Sequence, residues 1–255
     1  MILDSHSHVL HSAAVGDDYL LDVWLPESYD GSALRYPVLY VLDSPGLFGL
    51  AVGTVMTHVW EGLLPELIVV GIGKPMKTLD EWWPIRTRDY SPIPLPGDDG
   101  SGHSDAFQRA LQDEILPFVD TTYRTDVDDR TIYGHSVGGV FVLSLLLNGS
   151  GLFRRYLASS PALVVDGQTL LDLRVDGPAA RSDVPGRLFV SVGTLDTELR
   201  PHIEAFNTEL QQRDYQGLHV DTAELAGYGH ATAGFLGLLT GLRRLFPMNN
   251  TPDPG

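Results

Sequence analysis

The sequence has no cysteine. Disulfide bonds, thiolate nucleophiles and zinc or iron–sulfur sites built on cysteine are therefore excluded. Long hydrophobic runs are also missing, because no stretch approaches the roughly 18 apolar residues of a membrane-spanning helix. Basic residues are scarce, with 17 Lys and Arg against 33 Asp and Glu, which gives a formal net charge of −16. This charge disfavours nucleic acids and anionic membrane surfaces as partners.

The N-terminal segment from Met1 to His6 has neither the basic nor the apolar part of a secretory signal, so a cytoplasmic location is expected. The 255 residues, 43% of them hydrophobic, suffice for one large α/β domain with a sizeable core. No internal repeat or composition shift marks a boundary. The sequence therefore predicts a single domain over residues 1–246 and a frayed, polar tail over residues 247–255.

The most specific signal in the chain is Gly134-His135-Ser136-Val137-Gly138, which has the Gly-x-Ser-x-Gly pattern of a nucleophile elbow. A serine hydroxyl is a weak nucleophile that must project toward a base, and the flanking glycines relieve crowding in the sharp turn. A chance match is the alternative in a chain with 27 glycines. The β-branched and aromatic run before the motif and the apolar run over residues 140–147 favour a true strand–turn–helix elbow.

Strand and helix patterns alternate along the rest of the chain. Strands are predicted at residues 7–14, 19–25, 36–42, 67–72, 130–133, 156–159, 187–192 and 218–225. Helical spacing of apolar residues falls between most of them and after the last one. This alternation predicts an α/β fold with a mostly parallel central sheet and helices on both faces.

Two segments between these elements carry further predictions. Residues 74–102 are rich in Pro and Gly and contain Trp82 and Trp83, which indicates a long ordered loop at a pocket. Apolar residues from Phe107 to Val119 recur at helical spacing, and Pro117 is expected to kink that helix.

An elbow serine needs a histidine base, which in turn needs an acid that orients it. In the α/β-hydrolase order, the acid and then the histidine follow the serine, each on a loop after a strand. Among the histidines after Ser136, only His230 sits in a glycine-rich loop just past the last predicted strand. Asp196 lies closest to the end of the preceding strand, and Glu198 is the alternative acid. Either carboxylate could instead cap a helix or lie on the surface.

The tetrahedral intermediate of such a site also needs hydrogen-bond donors for its oxyanion. The backbone N–H of Val137, directly after the nucleophile, is one expected donor. The second is expected from the loop after an early strand, within residues 43–47.

The chain resembles a known family of α/β-hydrolase esterases. That family includes enterochelin esterase-like enzymes, feruloyl esterases, S-formylglutathione hydrolase and the mycolyltransferases. The segments that carry the resemblance occur in the family's order and span roughly residues 17–246. They are Tyr40-Val41-Leu42-Asp43, Val70-Gly71-Ile72-Gly73, Arg86-Thr87-Arg88-Asp89-Tyr90-Ser91-Pro92, Leu116-Pro117-Phe118, the elbow with Gly139, Ser159-Ser160-Pro161, and Gly229-His230. The segment from Arg86 to Pro92, taken with the elbow, is similar to the siderophore-esterase branch.

The resemblance implies an α/β-hydrolase fold without a large separate lid domain. It implies a serine carboxylic-ester hydrolase with Ser136 as nucleophile, His230 as base and Asp196 as the acid. The substrate would be a small-molecule ester, and no metal or organic cofactor is required. The natural ester and the oligomeric state stay open.

Two departures from the family pattern affect the pocket. Many relatives have a glycine after the position of Asp43, and then a residue whose free N–H is the second oxyanion donor. Here Ser44 and Pro45 follow, and proline has no N–H. Gly46 or Leu47 would then donate from a shifted loop, or the oxyanion hole is weakened. In addition, residues 163–166 replace a Trp-Trp-Asp pattern that relatives often show.

Other interpretations lead to different functions. His6 and His8 form the His-x-His that opens metal-dependent amidohydrolases, although an exposed edge strand with polar residues on one face is the simpler explanation. A non-catalytic binding module on the same fold is a second alternative, which only the unusual Pro45 supports. Acyl transfer to an alcohol instead of water is a third.

Three charged or titratable residues near the expected site have two interpretations each. Arg86 and Arg88 could bind a substrate carboxylate or phenolate, or pair with one of the neighbouring acids Asp80, Glu81 and Asp89. His135 is next to the nucleophile, but an elbow points adjacent side chains away from it. We therefore expect His135 to be a packing residue behind the site.

Overall fold

The computed structural model describes residues 5–76, 78–173, 178 and 182–246. The predicted C-terminal tail at residues 247–255 and the first four residues lie outside the described ranges.

An eight-stranded sheet forms the centre of the described chain, in the order β1-β2-β4-β3-β5-β6-β9-β10. Its strands are β1 (Ser5–Ser12), β2 (Asp17–Trp24), β3 (Tyr36–Leu42), β4 (Ile68–Gly73), β5 (Thr125–His135), β6 (Arg155–Ser159), β9 (Asp183–Gly193) and β10 (Gln216–Leu225). Only the pairs β1–β2 and β2–β4 are antiparallel, and the other neighbours are parallel. The predicted mostly parallel sheet is confirmed.

Seven α-helices of the described chain surround this sheet. They are α1 (Ser44–Trp60), α2 (Trp82–Tyr90), α3 (Ser104–Ala110), α4 (Leu116–Thr122), α5 (Val137–Leu147), α6 (Arg200–Arg213) and α7 (His230–Leu245). A two-stranded hairpin, β7 (Val164–Val165) and β8 (Gln168–Thr169), was not predicted.

The helices lie on both faces of the sheet, as predicted, and each face has its own hydrophobic core. One core packs Phe107, Val140 and Ile203, from α3, α5 and α6, against the sheet. The other packs Ala51 and Leu242, from α1 and α7, against the opposite face. Every residue of α5 is buried. This burial explains why the helix after the elbow reads as a continuous apolar run without an amphipathic period.

Two predictions about the segment before β5 need correction. Residues 74–102 are not an irregular loop throughout, because α2 occupies residues 82–90. The helix predicted around residues 107–119 is interrupted by a π-helical turn, Leu111–Ile115, and restarts as α4 with Pro117 in its first turn. Proline has no N–H to donate and crowds the carbonyl four residues before it. The wider π turn accommodates both effects.

The closing helix α7 approaches the sheet through a row of glycines. A Cβ atom built on Gly237 would lie 2.2 Å from Ser159 Oγ, and one on Gly241 would lie 2.6 Å from Leu157 Cδ1. A Cβ on Gly234 would likewise lie only 3.0 Å from Cγ of the His135 ring. Side chains at these positions would push the helix off β6, so the glycines set its distance from the sheet.

Candidate active site

The nucleophile elbow joins β5 to α5 at the carboxyl edge of the sheet. Ser136 stands between them with φ 60° and ψ −123°, a strained conformation for a residue with a side chain. A Cβ on Gly134 would lie 2.2 Å from the carbonyl oxygen of Gly138. Only glycine fits at that position, which is the physical reason for the Gly-x-Ser-x-Gly pattern.

His230 contacts both other members of the predicted triad. Its Nε2 lies 3.0 Å from Ser136 Oγ, and its Nδ1 lies 2.8 Å from Asp196 Oδ2. Ser136 and Asp196 are buried, at 7% and 6% exposed, whereas the His230 side chain is 39% exposed. The imidazole thus bridges two buried oxygens while one edge faces solvent. Glu198, the alternative acid, is exposed.

The Asp196 turn and the His230 loop are fastened to each other by backbone contacts. Leu195 N–H donates to the carbonyl of Tyr228 at 2.9 Å, and Thr194 N–H donates to that of Leu225 at 3.0 Å. Gly193 ends β9 so close to the second loop that an added Cβ would be 2.2 Å from the Tyr228 oxygen. The loops that carry Asp196 and His230 are therefore held together by backbone contacts.

The loop after β3 differs from the expected arrangement. Asp43 has a left-handed conformation, φ 58°, and α1 begins directly after it with Pro45 in its first turn. The N–H of Gly46 donates to the Asp43 carbonyl at 3.0 Å, and Leu47 N–H donates to the same oxygen at 3.2 Å. Both N–H groups that we expected to supply a donor are therefore engaged within the turn. The Gly46 N–H, one of the expected donors, thus already has an acceptor within the turn.

Arg86 connects this loop to the elbow. Its Nε donates to both carboxylate oxygens of Asp43, at 3.0 and 3.1 Å, and its Nη2 donates to the carbonyl of His135 at 2.9 Å. Trp82 Nε1 adds a hydrogen bond of 3.2 Å to Asp43. Of the two interpretations of Arg86, the structure shows structural pairing.

Arg88 is also paired, with Asp89 at 2.7 Å and Asp17 at 2.9 Å. Asp89 was among the acids considered from the sequence, whereas Asp43 and Asp17 were missed as partners. For Asp43 a signal existed, because it is a charged residue directly at the end of an apolar strand, where a carboxylate needs a counter-ion.

His135 packs against His230, and its own side chain makes no contact with Ser136 that the structure records. Its ring centroid lies 4.8 Å from that of His230, and its Nδ1 lies 3.0 Å from the carbonyl of Ser159. Burial lowers the pKa of His135 to about 3, and electrostatic interaction with His230 and Arg86 acts in the same direction. His135 is therefore neutral at ordinary pH, with its Nδ1–H donating to Ser159.

The His-x-His pair lies elsewhere, on the edge strand β1. His8 Nε2 is 2.7 Å from the Tyr123 hydroxyl, beside α4. Within residues 5–76, 78–173, 178 and 182–246, no group of three or more His, Asp or Glu side chains could hold a metal ion. No helix in the same ranges is long and apolar enough to cross a bilayer.

The fold and the site together define the class. A mostly parallel sheet, an elbow serine at its carboxyl edge, and a histidine and an aspartate on the loops after later strands are the features of an α/β-hydrolase. The oxygen atoms and the imidazole lie at hydrogen-bond distances that suit nucleophilic catalysis by serine.

Comparisons with known proteins agree with this class. A profile of the family described as "Putative esterase" matches residues 12–234. The ferri-bacillibactin esterase BesA of Bacillus subtilis is 28% identical over 218 residues, 76% of this chain and 73% of that protein. The siderophore enterobactin esterase of Emericella nidulans is 31% identical over 173 residues, 60% of this chain and 56% of that protein. The chain belongs to this family of serine carboxylic-ester hydrolases.

A solved structure is similar over nearly the whole chain. An IroE-like serine hydrolase from Shewanella oneidensis superposes with a TM-score of 0.83 at 24% identity, covering 95% of this chain and 80% of that one. At this identity the likeness establishes the α/β-hydrolase fold, and the predicted fold class is confirmed.

Proposed function

We propose that the chain hydrolyses esters through a covalent acyl-enzyme on Ser136, with His230 as general base and Asp196 as the acid that orients it. The observation that carries the proposal is the pair of contacts made by His230, 3.0 Å to Ser136 Oγ and 2.8 Å to Asp196 Oδ2. Both distances fall in the range expected for a nucleophile–base and a base–acid hydrogen bond.

The contact with Asp196 determines which nitrogen of His230 accepts a proton. An ionised carboxylate only accepts hydrogen bonds, so Nδ1 of the neutral imidazole carries the hydrogen that points to Asp196. Nε2 is then the free acceptor, directed at the Ser136 hydroxyl. The carboxylate also stabilises the imidazolium that forms when the serine proton is taken up.

The reaction has two matching halves. Ser136 Oγ attacks the ester carbonyl while His230 Nε2 takes its proton, and the carbonyl oxygen becomes an oxyanion near the N-terminus of α5 and the Val137 N–H. The alcohol then leaves with the proton from His230. Water attacks the acyl-enzyme in the same way, which releases the acid and restores the Ser136 hydroxyl.

For the substrate, we propose a siderophore ester. Both curated relatives above are named for esters of this class, a ferri-bacillibactin and an enterobactin esterase. The family match over residues 12–234 includes the elbow and the loops that carry Asp196 and His230, which supports a related use of the same site.

Hydrolysis of short p-nitrophenyl esters tests the chemistry, with wild type compared to Ser136→Ala. We expect the variant to lose activity by a factor on the order of a million, as in serine proteases that lose their nucleophile. Ser144→Ala, in the middle of α5, is the matched control for loss of a buried serine hydroxyl. Turnover that persists in Ser136→Ala at more than a small fraction of wild type would refute the role of Ser136.

The substrate class needs a separate assay. Enterobactin and bacillibactin, each with and without bound iron, are incubated with wild type and Ser136→Ala, and the products are identified by mass spectrometry. Ser136-dependent ring-opened or monomeric products support a siderophore esterase. If p-nitrophenyl esters are cleaved and all four siderophore forms stay intact, the substrate proposal is wrong although the chemistry is right.

A further inference from the structure

Two serine hydroxyls are buried beneath α7, beside the hydrophobic core on that face of the sheet. Ser159 ends β6 and is fully buried, and Ser191 of β9 is 1% exposed. The two residues pair in register across the two strands, and their Oγ atoms lie 3.0 Å apart. A buried hydroxyl needs a hydrogen bond to offset the loss of its contact with water, so the partners of this pair decide what it does.

The acceptor at one end fixes the direction of this hydrogen-bond chain. Ser159 Oγ lies 2.9 Å from the carbonyl oxygen of Ala233, which can only accept, so the single hydroxyl hydrogen of Ser159 points there. The hydroxyl of Ser191 then donates to Ser159 Oγ. The chain of hydrogen bonds therefore runs from β9 through β6 to the first turn of α7.

Gly237 makes room for the two hydroxyls. A Cβ at this position would lie 2.2 Å from Ser159 Oγ and 2.5 Å from Ser191 Oγ. The helix lies close enough to accept a hydrogen bond from the sheet because residue 237 has no side chain. Two alanines in place of the serines would fit the same space without any polar group, so packing alone does not account for the hydroxyls.

The backbone of Ser159 contacts the elbow. Its carbonyl oxygen accepts the Ser136 N–H at 3.0 Å, and Nδ1 of His135 lies 3.0 Å from the same oxygen. One residue of β6 is therefore bonded to the two consecutive residues that end β5 and form the turn. This contact uses the main chain, so a change of the Ser159 side chain does not remove it.

The other end of the chain is the turn that begins with His230. Ala233 lies in the first turn of α7, and its N–H donates to the carbonyl of Gly229 at 2.9 Å. The next carbonyl, that of Gly234, accepts the Tyr133 hydroxyl at 2.7 Å. Residues one helical turn apart are separated by only about 5.4 Å along the axis, so bonds to these carbonyls restrain the part of the helix that carries the imidazole.

We propose that Ser159 is a positioning residue, whose hydroxyl holds the His230 imidazole in line with the Ser136 hydroxyl by binding the Ala233 carbonyl. The inference rests on the proposed serine chemistry. Ser136 and His230 come from separate elements, and their 3.0 Å contact tolerates little displacement. Ser159 bonds to both elements, to the elbow through its carbonyl and to α7 through its hydroxyl. It acts through these two residues and needs no contact with the substrate.

Ser159→Ala removes the hydroxyl and keeps the carbonyl, so it tests the positioning role alone. We expect kcat for p-nitrophenyl esters to fall about tenfold to 100-fold, with KM within about twofold of wild type, because the alignment changes and the substrate contacts do not. Ser191→Ala is the matched control. It removes a neighbouring hydroxyl from the same network but keeps the bond from Ser159 to Ala233, so its kcat should stay within about threefold of wild type.

Thermal unfolding of the two variants separates positioning from stability. Each variant loses one buried hydroxyl, so the midpoints of unfolding should fall by similar amounts, and the kinetics are measured well below both midpoints. A purely structural role would then affect the two variants alike. If kcat falls equally in Ser159→Ala and Ser191→Ala, or falls in neither, the positioning role is wrong.

Proton NMR gives a second readout that does not need turnover. The Nδ1–H of His230, hydrogen bonded to the Asp196 carboxylate, should give a separate downfield signal in wild type. We expect this signal to broaden or disappear in Ser159→Ala and to persist in Ser191→Ala. An unchanged signal in Ser159→Ala would overturn the proposal. Failure of the proposed function looks different, because wild type would then show the signal without any Ser136-dependent turnover.

Discussion

Arg86 donates a hydrogen bond to the carbonyl oxygen of His135, the residue immediately before Ser136, at 2.9 Å. The same guanidinium is paired with the Asp43 carboxylate, and both side chains are almost fully buried. One side chain of α2 thus ties the end of β3 to the end of β5. The left-handed conformation of Asp43 persists because this pairing determines where its carboxylate must lie.

Arg86→Gln should therefore destabilise the protein strongly. Removing one partner of a buried pair leaves the other charge without compensation, and we expect a loss of about 3–5 kcal/mol in the free energy of unfolding. Arg109→Gln is the matched control, because the Arg109–Asp105 pair is exposed and its loss should cost well under about 1 kcal/mol. Urea titrations give both values. In the double variant with Asp43→Asn, the loss should be smaller than the sum of the single losses.

The two candidate acids can be separated by matched amide substitutions. Asp196→Asn keeps the shape of the side chain but no longer favours the Nδ1–H form of His230, so kcat should fall on the order of 10⁴-fold. Glu198→Gln changes an exposed side chain and should leave kcat near wild type. Steady-state kinetics on the same p-nitrophenyl ester decides between them. A larger loss in Glu198→Gln would reverse the assignment.

His135 should make stability depend on acid pH. Its pKa is about 3 in the folded protein against about 6.5 for an ordinary histidine, so between these values only the unfolded chain takes up the proton. The resulting contribution is fully present above pH 6.5 and is lost as pH falls toward 3. His135→Asn keeps a donor for the Ser159 carbonyl but does not titrate. Its free energy of unfolding should fall less between pH 7.5 and pH 4.5 than that of wild type, and an equal fall would contradict this account.

Gly193 should be required for the alignment of Asp196 with His230. In Gly193→Ala the new methyl group collides with the Tyr228 carbonyl and separates the loops of Asp196 and His230. A displacement of about 1 Å can cost on the order of 100-fold in kcat. Gly229→Ala is the control, since φ is −91° there and a Cβ meets nothing within 4 Å. If both variants retain wild-type kcat and thermal stability, close contact of the loops is not what aligns the site.

Much of the fold and site could be predicted because local chemistry determines it. The run at residues 36–42 is apolar at nearly every position, and its predicted limits coincide with those of β3. Ser136, Asp196 and His230 could be chosen because each follows a strand, and the carboxyl ends of parallel strands meet at one edge of the sheet. The structure brings all three together.

The features that were missed depend on contacts between distant parts of the chain. The sequence of α2 contains a proline and two tryptophans, so its intrinsic helix signal is weak, and its pairing with Asp43 and Asp17 helps to hold it in place. The engagement of the Gly46 N–H depends on the left-handed conformation of Asp43, which the sequence does not reveal. In both cases, contacts with distant residues determine the local conformation more than the local sequence does.

The glycine row of α7 also determines which positions should tolerate mutation. Gly237 lies two turns, about 10 Å, along the helix from His230, and Gly241 lies farther still. Both glycines contact β6 directly, and His230 is the first residue of the same helix. A larger residue at either position would move helix α7 away from the sheet. This movement would displace the His230 imidazole at the start of the helix. In a saturation-mutagenesis scan selected for activity, the intolerant positions should therefore extend as a stripe along the buried side of this helix, well outside the cleft.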